Sequence, residues 1–159
     1  MQNHLIYDAA SEDDTAVLGA ALASLLPDRT VVALCGTLGA GKTRLVQAIA
    51  EACGIDRRAV TSPTFVLVQQ YHGRRAICHL DAYRLRSQDE FLELGPEEHF
   101  QADGLVLVEW ADRVGDLLPK ERIEIRIEVT GDTSRRFEVV AQGERYFDVI
   151  FRLAARLRR

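Results

Sequence analysis

The chain has 159 residues, of which 47% are hydrophobic and 28% are charged, and its formal net charge is -4. This length fits one core, so we expect residues 1–159 to form a single domain, and the composition excludes a disordered or membrane chain. The acidic net charge argues against a broad basic surface for nucleic-acid phosphates, so any direct RNA contact is expected to be local.

The first third of the chain predicts a helix, a buried strand and a second helix. Ser11 with Asp14 three residues later is typical of a helix N-cap, and apolar residues recur at helical spacing from there to Pro27. Residues 30–35 are continuously apolar and rich in β-branched side chains, as in a strand covered on both faces. Residues 45–53 carry a second helical stripe, so the glycine-rich segment between them joins a strand to a helix.

The middle of the chain predicts a hairpin, a helix and another buried strand. Residues 65–71 and 76–81 have the pattern of two strands around a short turn, and therefore of an antiparallel pair. Residues 87–94 begin with a capping serine and are followed by Gly-Pro, which indicates one short helix closed at that point. Residues 105–108 form a wholly apolar strand that places Glu109 at its carboxyl end.

The last third predicts a second hairpin and a C-terminal helix. Residues 122–129 alternate charged and apolar side chains, which indicates a half-exposed strand. Residues 136–141 are expected to pair with it across a turn, and the tail from residue 145 carries apolar side chains at helical spacing. Buried strands flanked by helices, together with two hairpins, predict a mixed α/β sheet sandwiched by helices.

The cysteines and the start of the chain indicate the compartment. Cys35, Cys53 and Cys78 lie in apolar surroundings and form no C-x-x-C pair, which argues against a disulfide framework and a zinc site. No apolar run approaches the length of a membrane span, and the first residues lack the basic end and apolar stretch of a signal peptide. We therefore expect a cytoplasmic protein with reduced thiols.

The glycine-rich segment matches the P-loop pattern G-x-x-x-x-G-K-[ST] between a predicted strand and a predicted helix. Phosphates are wrapped by backbone N–H groups, and residues without a Cβ let the chain turn tightly and approach closely. The positive end of the following helix adds to the attraction. The segment predicts a nucleotide phosphate site in an α/β, P-loop NTPase-like fold, formed by Gly36, Thr37, Leu38, Gly39, Ala40, Gly41, Lys42 and Thr43.

Hydrolysis of the nucleotide would need further groups around this loop. Lys42 is expected to reach the terminal phosphates, and the Thr43 hydroxyl is expected to bind Mg²⁺. A carboxylate must also hold the metal, and Glu109 stands where such a carboxylate is usually found, although aspartate is commoner there. The alternative is a surface glutamate at a strand end.

The segment HLDAYRL raises three alternatives. His79 and Asp81 are two apart on a predicted strand and so point to the same face. They fit part of a two-histidine, one-carboxylate iron site completed by His4, His72 or His99, but the spacing selects none of these. Asp81 could instead hold a water of the magnesium shell or accept a proton from the attacking water, or it could only cap the next turn.

Three further features bear on the nucleotide site. Residues 61–65, TSPTF, either order on a γ phosphate as switch loops do or form an ordinary loop. Trp110, the only tryptophan, is interpreted as a core aromatic in preference to a partner-facing one. No N-K-x-D segment is present to bind guanine, and the D-x-x-G at residues 112–115 lies beyond the strand where a GTPase would use it, so adenine is favoured.

Taken together, these segments resemble the TsaE family (older name YjeE), the small P-loop ATPases of bacterial threonylcarbamoyl-adenosine tRNA modification. The resemblance rests on the P-loop and, in order, on TSPTF at 61–65, HLDAYRL at 79–85, ELGPEE at 93–98 and LVEWADR at 107–113. It implies a single α/β domain that binds and hydrolyses ATP with Mg²⁺. It also implies association with TsaD and TsaB, which transfer a threonylcarbamoyl group to the adenosine beside the tRNA anticodon, so that tRNA is met only through the complex.

The resemblance further implies roles for single residues. Lys42 would hold phosphates, Thr43 and Glu109 would bind Mg²⁺, and Asp81 would serve hydrolysis or its coupling to the partners. Lys42, Asp81 and Glu109 are therefore the expected catalytic residues, and residues 61–65 would act as a switch. Two more positions resemble family residues near the nucleotide, Thr15 and Arg136.

Two other functions stay open at this point. A small P-loop kinase would share the loop and the buried strand, but it would need a second substrate pocket and an arginine-rich lid, for which Arg57 and Arg58 are the only candidates. A nucleotide-sensing scaffold without meaningful turnover would use the basic C-terminal helix to dock on a partner or an anionic membrane.

Overall fold

The computed structural model describes residues 3–61 and 68–158, and these ranges contain one seven-stranded mixed sheet. The strands are β1 (His4–Ala9), β2 (Thr30–Gly36), β3 (Val68–His72), β4 (Ala76–Asp81), β5 (Leu105–Glu109), β6 (Arg122–Val129) and β7 (Arg135–Gln142). Their order across the sheet is β1-β7-β6-β2-β5-β4-β3. The four strands β6, β2, β5 and β4 are parallel neighbours, and the outer pairs β1–β7, β7–β6 and β4–β3 are antiparallel.

Helices cover both faces of the central strands. They are α1 (Glu12–Leu25), α2 (Lys42–Ala52), α3 (Gln88–Glu93), α4 (Pro96–Gln101) and α5 (Phe147–Leu157). The side chains of α1, α2 and α5 form one core with the sheet, and those of α3, α4 and the turns after β5 form a second core on the opposite face. In the described ranges, no helix has the length and apolar character needed to cross a bilayer. The predicted mixed sheet between helices is confirmed.

The parallel strand β2 lies at the centre of both cores. Val32 and Leu34 point into the core beneath α1 and α2, and Val31 and Ala33 point into the other one. All four are at most 2% exposed. Burial on both faces is why residues 30–35 are continuously apolar. The alternation predicted for β6 is also confirmed, since Ile123 and Ile125 are fully buried while the charged residues that alternate with them are partly or fully exposed.

Two elements differ from the sequence-based expectation. Strand β1 was not predicted; it pairs with β7 and buries only Tyr7 and Ala9, so its apolar signal is short. Residues 87–101 form two helices, because Gly95 ends α3 with φ 64° and Pro96 is the first residue of α4. The predicted hairpin is present as the antiparallel pair of β3 and β4, and its expected start at residues 65–67 lies outside the described residues and stays a prediction.

Helix α1 approaches α2 closely through Gly19. A Cβ built on Gly19 would lie 2.5 Å from the Cβ of Ala48 and 2.8 Å from its carbonyl carbon. In an unconstrained helix, a change from glycine to alanine adds roughly 1 kcal/mol of stability. Here the added methyl group meets backbone that cannot move away without shifting a helix, so the usual gain is replaced by a clash.

We predict that Gly19→Ala lowers the free energy of unfolding by about 1–3 kcal/mol, the usual cost of overpacking a core. Urea denaturation followed by circular dichroism measures this change. Gly115→Ala is the matched control, because a Cβ there meets no atom within 4 Å, and it should leave stability nearly unchanged. A stabilised Gly19→Ala variant would contradict the close helix contact.

Candidate functional site

The loop between β2 and α2 turns so tightly that it uses backbone positions suited to glycine. Gly39 and Gly41 have φ angles of 79° and 110°. A Cβ on Gly36 would lie 2.9 Å from the carbonyl oxygen of Ile127, on the neighbouring strand β6. The N–H of Ala40 donates to the carbonyl of Thr37 at 3.0 Å and closes the turn. This is the tight, side-chain-poor backbone that the P-loop pattern requires.

Lys42, the first residue of α2, is held against the start of this loop. It is 5% exposed, and its Nζ donates to the carbonyl oxygens of Gly36 and Thr37 at 2.6 and 2.8 Å. The same Nζ lies 3.9 Å from the centre of the Trp110 ring. Burial lowers the pKa of Lys42, and the nearby negative charges, that of Glu109 first among them, oppose this effect. The ammonium group therefore sits between the loop and the acidic strand ends.

Glu109 ends β5 directly beside the loop and is 2% exposed. The Thr43 hydroxyl lies 2.9 Å from each of its carboxylate oxygens. His79, on the adjacent strand β4, places its Nε2 at 2.5 Å from Oε2 of Glu109. Thr43 and Glu109, the two residues predicted to bind magnesium, are thus brought together. His79, which was not predicted to bind magnesium, contacts Glu109 as well.

The donor set at this point fits Mg²⁺. A hydroxyl and a carboxylate are the oxygen ligands that this ion prefers, and it commonly takes its remaining ligands from substrate phosphates and water. Within residues 3–61 and 68–158, no three His, Cys, Asp or Glu side chains are grouped as an all-protein metal site. The iron interpretation of His79 therefore finds no support there, and His99 instead contacts Gln70, at 3.4 Å.

Asp81 ends β4 and is the register partner of Glu109 on β5. It is 6% exposed, and its Oδ1 accepts a hydrogen bond from the N–H of Tyr83 at 2.8 Å. The N–H of Ala82 donates to the carbonyl of Glu109 at 3.0 Å and ties the two strand ends together. The capping contact is therefore present, and it fixes the carboxylate beside the candidate metal ligands.

A cavity of about 370 Å³ opens on the other side of the loop, between α1, the P-loop and the turn joining β6 to β7. Two residues were expected near the nucleotide; of these, Thr15 lines the cavity and Arg136 does not. Arg136 points to the opposite face of β7 and pairs with Asp8 at 2.8 Å. Arg135, and not Arg136, lines the cavity, and its Nε donates to the carbonyl of Ala40 at 2.9 Å.

Arg44 is a second cavity residue that sequence reasoning missed. Its Nε lies 3.6 Å from Oε2 of Glu12, and its Nε and Nη1 are buried without a hydrogen-bond partner among the described residues. Its position in the first turn after the P-loop was the available signal, since side chains there lie over the loop. Arg135 and Arg44 therefore both bring a positive charge to the lining of this cavity.

Trp110 and the hydroxyl-rich segment have mixed outcomes. Trp110 is half-buried: it packs against the second core, lies 4.8 Å from the ring of Tyr83 and also covers Lys42, so the core interpretation describes only part of its role.

Thr61 is exposed, and residues 62–65 lie outside the described residues, so the switch interpretation stays a prediction. Arg58 pairs with Asp56, two residues before it, and its side chain is 87% exposed, which gives a kinase lid no support.

Comparison with known proteins gives a consistent result. The family described as "Threonylcarbamoyl adenosine biosynthesis protein TsaE" matches residues 9–137. A relative from Treponema pallidum (strain Nichols), named tRNA threonylcarbamoyladenosine biosynthesis protein TsaE, is 40% identical over 81% of this chain and 95% of its own length. A relative of the same name from Bacillus subtilis (strain 168) is 37% identical over 89% of each. The crystal structure of Bacillus subtilis YdiB superposes with a TM-score of 0.81 at 31% identity, covering 98% of this chain and 97% of that one.

If the loop binds magnesium ATP as the sequence predicts, we expect Arg135→Met to weaken that binding about tenfold. The substitution keeps the length of the side chain but removes the hydrogen bond to the P-loop carbonyl of Ala40, and a hydrogen bond to a charged group is worth roughly 1.5–3 kcal/mol. Isothermal titration calorimetry measures the dissociation constant. Arg136→Met is the matched control, since Arg136 lies on the other face, and it should bind like the wild type. Equal losses of ATP affinity in both variants would contradict a specific role of Arg135 in nucleotide binding.

Proposed function

The chain belongs to the TsaE family, and from this premise we propose that it is the ATP-binding and ATP-hydrolysing accessory protein of tRNA threonylcarbamoyladenosine modification, acting with TsaD and TsaB. The relatives' names support the pathway. The single observation that carries the ATPase assignment is the contact of Thr43 with Glu109 at 2.9 Å, at the first turn of a P-loop helix. It joins the two groups that a magnesium nucleotide requires.

The residues of the loop perform the binding. The backbone amides from Gly36 to Thr43 and the N-terminus of α2 hold the β and γ phosphates, and Lys42 supplies a positive charge at their terminal end. Thr43 and Glu109 would hold Mg²⁺. The bound ion would supply positive charge to offset the negative charge that develops on the phosphates in the transition state.

Asp81 is assigned to the attacking water. Its carboxylate is fixed by the N–H of Tyr83 and lies beside Glu109 in the sheet register. From there it orients the water or accepts its proton. The water oxygen bonds to the γ phosphorus as the bond to the β–γ bridging oxygen breaks, which gives ADP and phosphate.

The nucleoside is assigned to the cavity beside the loop. Its volume of about 370 Å³ lies in the range usual for small-molecule sites. Thr15 and the backbone of Gly39 to Gly41 line it, so a nucleoside there would be continuous with phosphates in the loop. Adenine is preferred over guanine on the sequence argument alone, because no N-K-x-D segment is present.

The partners are proposed to meet the nucleotide end of the protein. Leu38, within the P-loop, is 77% exposed, and Tyr83, after β4, is 41% exposed. Exposed apolar side chains beside a nucleotide site are suited to an interface that senses its contents. Since no acyl-transfer arrangement of serine, cysteine and histidine is evident in the sequence, we propose that transfer occurs on the partners and that hydrolysis resets their complex between rounds.

We predict that Glu109→Gln reduces ATP hydrolysis on the order of 100-fold, because one charge holding the metal is lost and about 2.7 kcal/mol of transition-state stabilisation corresponds to that factor. Phosphate release is measured with water as the only acceptor, with and without TsaD and TsaB. Wild type should be slow alone and faster with both partners. Glu98→Gln, at an exposed glutamate on α4, should match the wild type. A kinase would consume no ATP without a second substrate, and a scaffold would show no partner-dependent rate.

The reset hypothesis is tested by Lys42→Ala in tRNA modification with purified partners. We expect modification to stop after the first rounds, because the variant cannot hold the terminal phosphates for hydrolysis. The measurement is the number of modified tRNA molecules per complex over time. Multiple turnover at the wild-type rate would show that hydrolysis by this chain does not reset the partners.

A further inference from the structure

A fully buried histidine lies directly behind the proposed metal carboxylate. His79 is 0% exposed, and its Nε2 is 2.5 Å from Oε2 of Glu109. The parallel register pairs His79 with Leu107 and Asp81 with Glu109. Because side chains two residues apart on a strand share a face, the side chains of His79 and Glu109 lie on the same face of the sheet, and they are offset by two residues along the strands. The contact is therefore built by strand pairing and not by a loop.

The chemistry of the two side chains determines which one donates the hydrogen bond. A carboxylate only accepts, so Nε2 of His79 carries the hydrogen and donates to Glu109. Nδ1 of His79 is buried without a hydrogen-bond partner among residues 3–61 and 68–158. A buried polar atom without a partner costs about 1–3 kcal/mol, so an aliphatic side chain would suit a purely structural position better. The contact with Glu109 is a hydrogen bond that an aliphatic residue at this position would lose.

The carboxylate of Glu109 is thus held from two sides. Thr43 contacts both of its oxygens, and His79 contacts only Oε2. The terminal torsion of a glutamate is broad, so one hydroxyl alone does not fix the plane of the carboxylate. A second donor on one oxygen does fix it.

We propose that His79 is a positioning residue for the metal site: its Nε2–H holds Oε2 of Glu109, so that the carboxylate is presented to Mg²⁺ beside the Thr43 hydroxyl. This inference rests on the proposed function, in which Glu109 binds the metal. Residues that orient metal ligands typically affect metal affinity by 10–100-fold when they are replaced. His79 should therefore act on the magnesium-dependent part of nucleotide binding and leave the part due to the loop amides intact.

The test compares ATP affinity in Mg²⁺ with ATP affinity in EDTA, measured by calorimetry. His79→Leu removes the donor, and we expect the gain in affinity due to Mg²⁺ to fall roughly 10–100-fold while binding in EDTA stays within about twofold of wild type. His79→Gln keeps an amide donor near the position of Nε2 and should restore most of the gain. Ile77→Ala is the control for general destabilisation of the core, since Ile77 is buried on the same face of β4; it should lower stability and keep the full gain.

Each outcome is decisive for one proposal. If wild type binds ATP no better with Mg²⁺, the proposed metal site itself is wrong. If wild type shows the gain and His79→Leu keeps it, the positioning role is overturned and the proposed function stands. Should His79→Leu fail to fold, His79→Asn replaces it, because its shorter side chain puts the amide short of Glu109; equal gains in His79→Asn and His79→Gln would then overturn the inference.

Discussion

The parallel pairing of β2 with β5, and of β5 with β4, is the constraint on which the site depends. Parallel neighbours end at the same edge of a sheet, so the loop after β2, Glu109 and Asp81 meet there although they are distant in the chain. This pairing requires strands that are buried on both faces, and the two cores supply the apolar cover. The hydrophobic interior and the placement of the polar site are therefore consequences of one topology.

The site concentrates charge where water is largely excluded. Lys42, His79, Asp81 and Glu109 are all at most 6% exposed. Burying such groups is costly unless each is paired and hydrogen-bonded, and here the loop carbonyls and the Trp110 ring face the ammonium while Thr43 and His79 face the Glu109 carboxylate. Groups that are fixed in this way need little reorganisation when a charged ligand arrives, which is the condition for electrostatic catalysis.

The sequence predicted those parts of the site whose signals are local. Spacing alone identified the P-loop, and a short apolar run identified the strand that ends at Glu109. Arg135 lines the cavity beside the loop and Arg136 does not, because adjacent strand residues point to opposite faces, and the register that decides between them is set by pairing with β6. Helix α4 was missed because Gly-Pro marks the end of one helix and equally the start of the next. The contact of His79 with Glu109 joins two strands that become neighbours only once the sheet order is known.

The surroundings of Trp110 make the protein its own optical probe. It is the only tryptophan of the chain, its backbone is left-handed with φ 57°, and its ring lies 3.9 Å from Nζ of Lys42 and 4.8 Å from the ring of Tyr83. Excitation at the long-wavelength edge of the tryptophan absorption band, where tyrosine absorbs little, therefore gives fluorescence from this single residue without an added label. A ligand that drew the lysine away from the indole would change the electric field on this one fluorophore, and the intensity and wavelength of its emission would change with it.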